Sequence, residues 1–201
     1  MSVGISSATL LPMIVAISFA AGLNVYATVA ALGLLARFGV FPLPTSLHLL
    51  ANPLVIAASL VLFGIEFFAD KIPVFDLFWN AAHTFVRVPI AALVAYCAAS
   101  HLSPPLQAAC AALGALVALA AHGGKTAARA AVTASPEPFS NAALSAGEDV
   151  AAVSIVWFAA HHPIVAALVV CGMLAVTALL ARAVFRALAG ILRTRRAPVR
   201  A

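Results

Sequence analysis

The sequence predicts an all-α, polytopic membrane protein, on three observations. Of 201 residues, 65% are apolar and 8% are charged, against roughly 45–50% and about 25% in an ordinary soluble domain. Mean hydropathy is +1.12. The apolar residues gather in long runs broken by proline, glycine and polar clusters, and a crossing needs about 20 such residues to cover some 30 Å of hydrocarbon. With 11 Lys and Arg and 6 Asp and Glu, the chain has too few charges to coat a water-soluble globule. Disorder and a disulfide scaffold are excluded by the same numbers.

About six transmembrane helices are expected. The first span runs from about Leu10 to Leu35, interrupted at Gly22-Leu23-Asn24. The preceding MSVGISSATLL has no basic region, so a retained span rather than a cleaved signal peptide is expected. The second, Leu54 to Phe68, follows a loop containing Phe41-Pro42-Leu43-Pro44 and closing with Asn52-Pro53. The third covers Phe75 to Ala98, and the fourth Leu106 to about Ala121, with a polar helical extension to Ala134. The fifth is Asn141 to Ala160 and the sixth Ile164 to about Leu188. Prolines mark the turns, as in Pro104-Pro105 and His161-His162-Pro163. Residues 1–192 form a single transmembrane domain and 193–201 a basic tail.

The net charge of +5 suggests nucleic acid only until the charges are placed. Arg182, Arg186, Arg193, Arg195, Arg196 and Arg200 all lie near the end, the expected cytoplasmic flank of a last span. No nucleic-acid partner is expected. Six crossings put both termini in the cytoplasm, along with the loops carrying Lys71, Lys125 and Arg129. Cys97, Cys110 and Cys171 sit inside apolar runs without metal spacing and read as inert. No metal or cofactor is expected.

The acidic residues, Glu66, Asp70, Asp76, Glu137, Glu148 and Asp149, fall between positions 66 and 149, with Lys71, Arg87, Lys125 and Arg129 among them. A charge at bilayer depth costs about 2.5–3.5 kcal/mol on insertion scales, so it faces a cavity or a partner. Asp76, Asn80, His83 and Arg87 share one face of the third span, at spacings of four, three and four. Asn141, Ser145 and Glu148 repeat the four-and-three spacing on the fifth, beside Asp149, and His122, Lys125 and Arg129 share a face of the fourth. Glu66 and Asp70 are one turn apart. A shift of 65 residues lays Pro73 on Pro138 and Asp76 on Asn141. That register suggests a pseudo-twofold repeat of two hairpins, spans two–three and four–five, whose stripes face each other around a site. Asn24, after Gly22, reads either as an unwound point lending backbone to a site or as a packing break with an interhelical amide bond.

The segments AAGLNVY, ADKIPVFDLFWNAAHTFVR and HGGKTAARAAVTASPEPFSNAALSAGEDV resemble a bacterial integral membrane family catalogued as domain of unknown function 4126, over roughly residues 16 to 160. That resemblance implies a multi-pass protein of the bacterial inner membrane. It supplies no reaction. The family pattern commonly has an acid where Asn80 stands and an Asn where Thr133 stands, so no acid role is carried over to position 80.

Function therefore rests on the residues. The expected substrate site or polar pathway comprises Asp76, Asn80, His83, Arg87, Lys125, Arg129, Glu137, Asn141, Glu148 and Asp149, with Asn24, Glu66, Asp70, Lys71 and His122 as supporting residues. Arg87, Lys125 and Arg129 suit a zwitterionic or phosphate-bearing solute or lipid, and His83 or a carboxylate suits proton coupling. Glu148 and Asp149 are candidate partners for Arg87. A small transporter or translocase, alone or as a homo-oligomer in contact with membrane lipid, is the first reading. The alternative is a non-transporting scaffold or accessory subunit whose polar network is structural. A wet pocket favours the first and a dry, paired network the second. No nucleophile–base pair, GxSxG or HExxH is present, so an enzyme is not expected.

Overall fold

The computed structural model describes residues 7–70, 72–133 and 138–195. They form seven α-helices and one 3-10 helix. In order these are α1 (Ser7–Leu23), α2 (Val25–Arg37), the 3-10 helix (Thr45–Ala51), α3 (Pro53–Ala69), α4 (Pro73–Ala98), α5 (Pro104–Thr133), α6 (Pro138–His161) and α7 (Pro163–Arg195). Helices α3 to α7 each begin at a proline, whose fixed φ suits the first helical position and whose missing N–H would have no intrahelical partner there.

The apolar run from Leu10 to Leu35 does not form one helix. At Asn24 the backbone turns extended (φ −149°, ψ 105°), and the Asn24 side chain accepts the N–H of Ala27. The products have 17 and 13 residues, each short of the length that spans hydrocarbon. Among the described residues, four helices are long and apolar enough to cross a membrane: those within α4, α5, α6 and α7. The count rises to five if the 3-10 helix and α3, bent by 60°, form one broken span. The expected six would also need α1 and α2 to cross together.

Helix α1 is the centre of the bundle and packs against α4, α5, α6 and α7. Ala16, Ala20, Val156 and Val170 are completely buried in this core. Small residues allow the close approaches. A Cβ on Gly22 would lie 2.5 Å from the Ala118 carbonyl oxygen, and one on Gly114 would lie 2.8 Å from Ala95 Cβ. Such contacts hold helices together where lipid is as apolar as the side chains. The outer faces are apolar, with Leu54, Phe68, Phe85, Leu116 and Leu168 exposed. That surface suits lipid and not water.

Helix α4 packs mainly on α5, and α5 in turn meets α6. The described parts of the stripes on the third and fifth expected spans are linked through α5, where His122 meets Arg87 and Asn80 and Arg129 meets Glu148. Helix α3 lies at the edge, against α2 and the 3-10 helix, with little contact to α4.

Candidate functional site

The charged residues converge on one buried layer beside the α1–α2 break. Glu66, Asp70, Arg87, Lys125, Arg129, Glu148 and Asp149 are each 0–8% exposed. Each helix delivers its members by helical spacing: Glu66 and Asp70 from α3, Asn80, Thr84 and Arg87 from α4, His122, Lys125 and Arg129 from α5, and Ser145, Glu148 and Asp149 from α6. A buried charge is costly unless paired, and the geometry shows how pairing is achieved.

Lys125 is the hub. Its ammonium donates to the Leu23 carbonyl at 3.0 Å and to Asp70 Oδ2 at 3.3 Å. It also lies 3.4 Å from Glu148 Oε2 and 3.7 Å from Glu66 Oε1. The Leu23 carbonyl is free for this because its helical partner, the Ala27 N–H, donates to Asn24 Oδ1 at 2.9 Å instead. The asparagine that breaks the helix thus provides a backbone ligand for the lysine.

Arg129 bridges α3 and α6. Its Nη2 is 2.7 Å from Asp70 Oδ2 and 2.5 Å from Glu148 Oε2, and its Nε donates to the same Glu148 oxygen at 3.1 Å. Its Nη1 donates to the Asp70 carbonyl at 3.3 Å. This places a cation on the negative C-terminal end of α3. Ser145 Oγ also reaches Asp70 Oδ2, at 3.5 Å.

Arg87 pairs with Glu66 through Nη2 and Oε1, and not with Glu148 or Asp149. Its Nη1 donates to Asn80 Oδ1 at 3.2 Å and to His122 Nδ1 at 2.8 Å. His122 Nε2 faces the Asn80 carbonyl at 3.1 Å and Thr84 Oγ1 at 2.8 Å. A carbonyl only accepts, so Nε2 carries the proton, and Nδ1 must offer its lone pair to the arginine. The contacts fix a neutral His122.

Asp149 stands apart from the ion pairs. Its Oδ1 accepts from Asn24 Nδ2 at 2.8 Å. Its Oδ2 is buried without a hydrogen-bond partner, as are Glu66 Oε2 and Arg87 Nε. Among the described residues, the layer therefore sets four carboxylates against three Lys and Arg cations, and Asp149 is the carboxylate outside those ion pairs.

His83 lies to one side. Its Nδ1 donates to the Trp79 carbonyl at 2.8 Å, and its Nε2 is 3.0 Å from the Tyr26 hydroxyl. The Trp79 ring is 4.3 Å away, centroid to centroid.

Of the expected site residues, Asn80, Arg87, Lys125, Arg129, Glu148, Asp149, Asn24, Glu66, Asp70 and His122 are thus brought together. Lys71 and Glu137 lie outside the described residues. Asp76 falls on α4 and Asn141 on α6, but their side chains are also outside the description. Two members were not anticipated. Thr84 had a signal, one turn from Asn80 on the polar face of α4. The Leu23 carbonyl had none beyond the neighbouring Asn24.

Among the described residues, no group of three His, Cys, Asp or Glu side chains is arranged to hold a metal ion. The sequence model of the family described as Domain of unknown function (DUF4126) matches residues 11–183. The chain belongs to the DUF4126 family. All the described residues of the charged layer, from Leu23 to Asp149, fall within the span matched to DUF4126. No curated protein and no solved structure matches the chain.

Proposed function

We propose that this DUF4126 protein is a small transporter or translocase of the bacterial inner membrane, and that the charged layer is its working site. One observation carries the reading: the layer is assembled on a discontinuous apolar helix, with the carbonyl freed at the break held by Lys125. Broken helices near the membrane midplane form the ion and substrate sites of many transporters, where unwound backbone supplies ligands. In this reading α1 and α2 cross together, giving six crossings with both termini and the basic tail of residues 193–201 in the cytoplasm. The α3–α4 and α5–α6 hairpins are the two halves of a pseudo-twofold repeat. A zwitterionic solute fits best: its cationic end meets Asp149, and its acid group exchanges with Glu148 at Arg129 and Lys125. A phosphate-bearing substrate would have to displace carboxylates from the same cations.

A second reading is favoured by the pairing itself. Arg87, Lys125 and Arg129 each have a carboxylate within ion-pair distance, as a structural scaffold requires. The deciding experiment is reconstitution into vesicles of phosphatidylethanolamine and phosphatidylglycerol enclosing a pH-sensitive dye. Pools of zwitterionic and phosphate-bearing solutes are then added outside under an imposed proton gradient. Solute-dependent proton flux, lost in Lys125→Met, is the expected result. No flux with any pool, from protein that is folded and inserted, would establish the scaffold.

A further inference from the structure

Among the described residues helices α3 and α6 pack little on each other, and between them lies a groove of about 370 Å³. Phe63 and Phe67 on α3 form one wall, and Ala146, Val150 and Val153 on α6 form the other. Val150 and Val153 are exposed on the apolar perimeter of the bundle, so the groove opens toward lipid. Asp149 is its one charged lining residue.

This groove ends at the carboxylate outside the ion pairs. Asp149 is 5% exposed, and its Oδ2 has no hydrogen-bond partner. Its surroundings are Asn24 from the α1–α2 break, Glu148 on its own helix, Lys125 on α5, and Glu66 and Asp70 on α3. The cation in this set, Lys125, is already shared among three carboxylates. A ligand that satisfies Asp149 must bring one positive charge and an N–H to donate, because a buried unpaired acceptor is expensive. A ligand that fills the groove must bring an apolar body, because Phe63 and Phe67, with ring centroids 6.3 Å apart, and the valines of α6 line it. The volume suits a small organic molecule.

We propose that the groove between α3 and α6 is a lateral binding site for a lipophilic ammonium, a primary or secondary amine on an apolar body, whose N–H donates to Asp149 Oδ2. This goes beyond the transport reading: the amine reaches Asp149 from the lipid side and leaves Glu148 on Arg129 and Lys125. Protons compete for the same oxygen, so binding weakens as pH falls.

The test is equilibrium dialysis of radiolabelled 4-phenylbutylammonium against the full chain in nanodiscs of phosphatidylcholine and phosphatidylglycerol, with empty discs subtracted. Saturable binding of one amine per chain is expected, weaker at pH 5 than at pH 8. Asp149→Asn should weaken it at least tenfold. Val153→Trp, which fills the groove and leaves every charge in place, should do the same with little change in thermal stability. Equal saturable binding of neutral 4-phenylbutanol, or amine binding indifferent to both substitutions, would overturn the site. Loss of amine binding in discs of phosphatidylethanolamine would reassign the groove to a lipid headgroup and overturn it too. Asp149-dependent binding without flux in the vesicle assay would refute transport and uphold the site. Flux without such binding would uphold transport and refute the site.

Discussion

Removing either partner of the Glu66–Arg87 pair should destabilise the protein by unequal amounts, and the inequality follows from what each would leave behind. In Arg87→Leu, Glu66 keeps Lys125 at 3.7 Å. At an effective dielectric of about 20, that separation is worth about 4.5 kcal/mol of attraction before desolvation. In Glu66→Leu, Arg87 keeps among the described residues only Asn80 Oδ1 at 3.2 Å and the neutral His122 at 2.8 Å, so its charge is stranded. Breaking a buried pair costs about 3–5 kcal/mol. Arg87→Leu belongs at the lower end of that range and Glu66→Leu at the upper end. The double variant removes both charges and should recover at least about 2 kcal/mol of the summed loss. With about 2–4 °C per kcal/mol for a chain of this length, the singles should melt about 6–12 °C and 10–20 °C below the parent. The assay is thermal unfolding in detergent, followed by the intrinsic fluorescence of Trp79 and Trp157. Additive single effects, or Arg87→Leu costing as much as Glu66→Leu, would refute the placement of Lys125 as second partner to Glu66.

Other measurements test other contacts. Asn24→Ala leaves the Ala27 N–H and Asp149 Oδ1 without their partners. It should cost about 1–3 kcal/mol in the same melt, and a neutral result would remove the cap from the account of the break. Gly22→Ala places a methyl 2.5 Å from the Ala118 carbonyl and should destabilise by about 1–3 kcal/mol. Gly123→Ala, with nothing within 4 Å, should be neutral or stabilising by up to about 1 kcal/mol. Arg87→Lys keeps the charge but cannot span Glu66, Asn80 and His122 at once. It should melt below the parent yet above Arg87→Leu.

Much of the fold was legible because the bilayer constrains it so tightly. Proline punctuation and apolar runs located the starts of α3 to α7 to within a few residues, since each helix begins where a proline ends the preceding turn, but α7 continues to Arg195, seven residues past the expected end of its span at Leu188. The clustering of the charges was legible as a set, because Glu66, Arg87, Lys125, Arg129 and Glu148 are too costly in hydrocarbon to be scattered. Pairings were not legible. Helical spacing says which side chains share a face but not which helix lies opposite, and Arg87 was read toward α6 when it is α3 that meets it. The break at Asn24 was visible only as one of two alternatives. Its outcome depended on the Asn24 side chain taking the Ala27 N–H and on Lys125 arriving from α5 to take the Leu23 carbonyl, about a hundred residues away in sequence.

The attachment of α3 links the architecture to the chemistry. This helix is apolar and largely exposed, and its main packing is on α2 and the 3-10 helix. In lipid such a helix gains little by pressing against another, because the surrounding acyl chains are equally apolar. What ties its C-terminal end to the rest of the bundle is Glu66 on Arg87 and Lys125, and Asp70 on Lys125 and Arg129. On the side facing α6 there is a groove in place of packing. The same carboxylates that balance the buried cations therefore also hold a peripheral helix in position. A charge tether beside an open groove is compatible with a scaffold as well as with transport, and the vesicle assay separates the two.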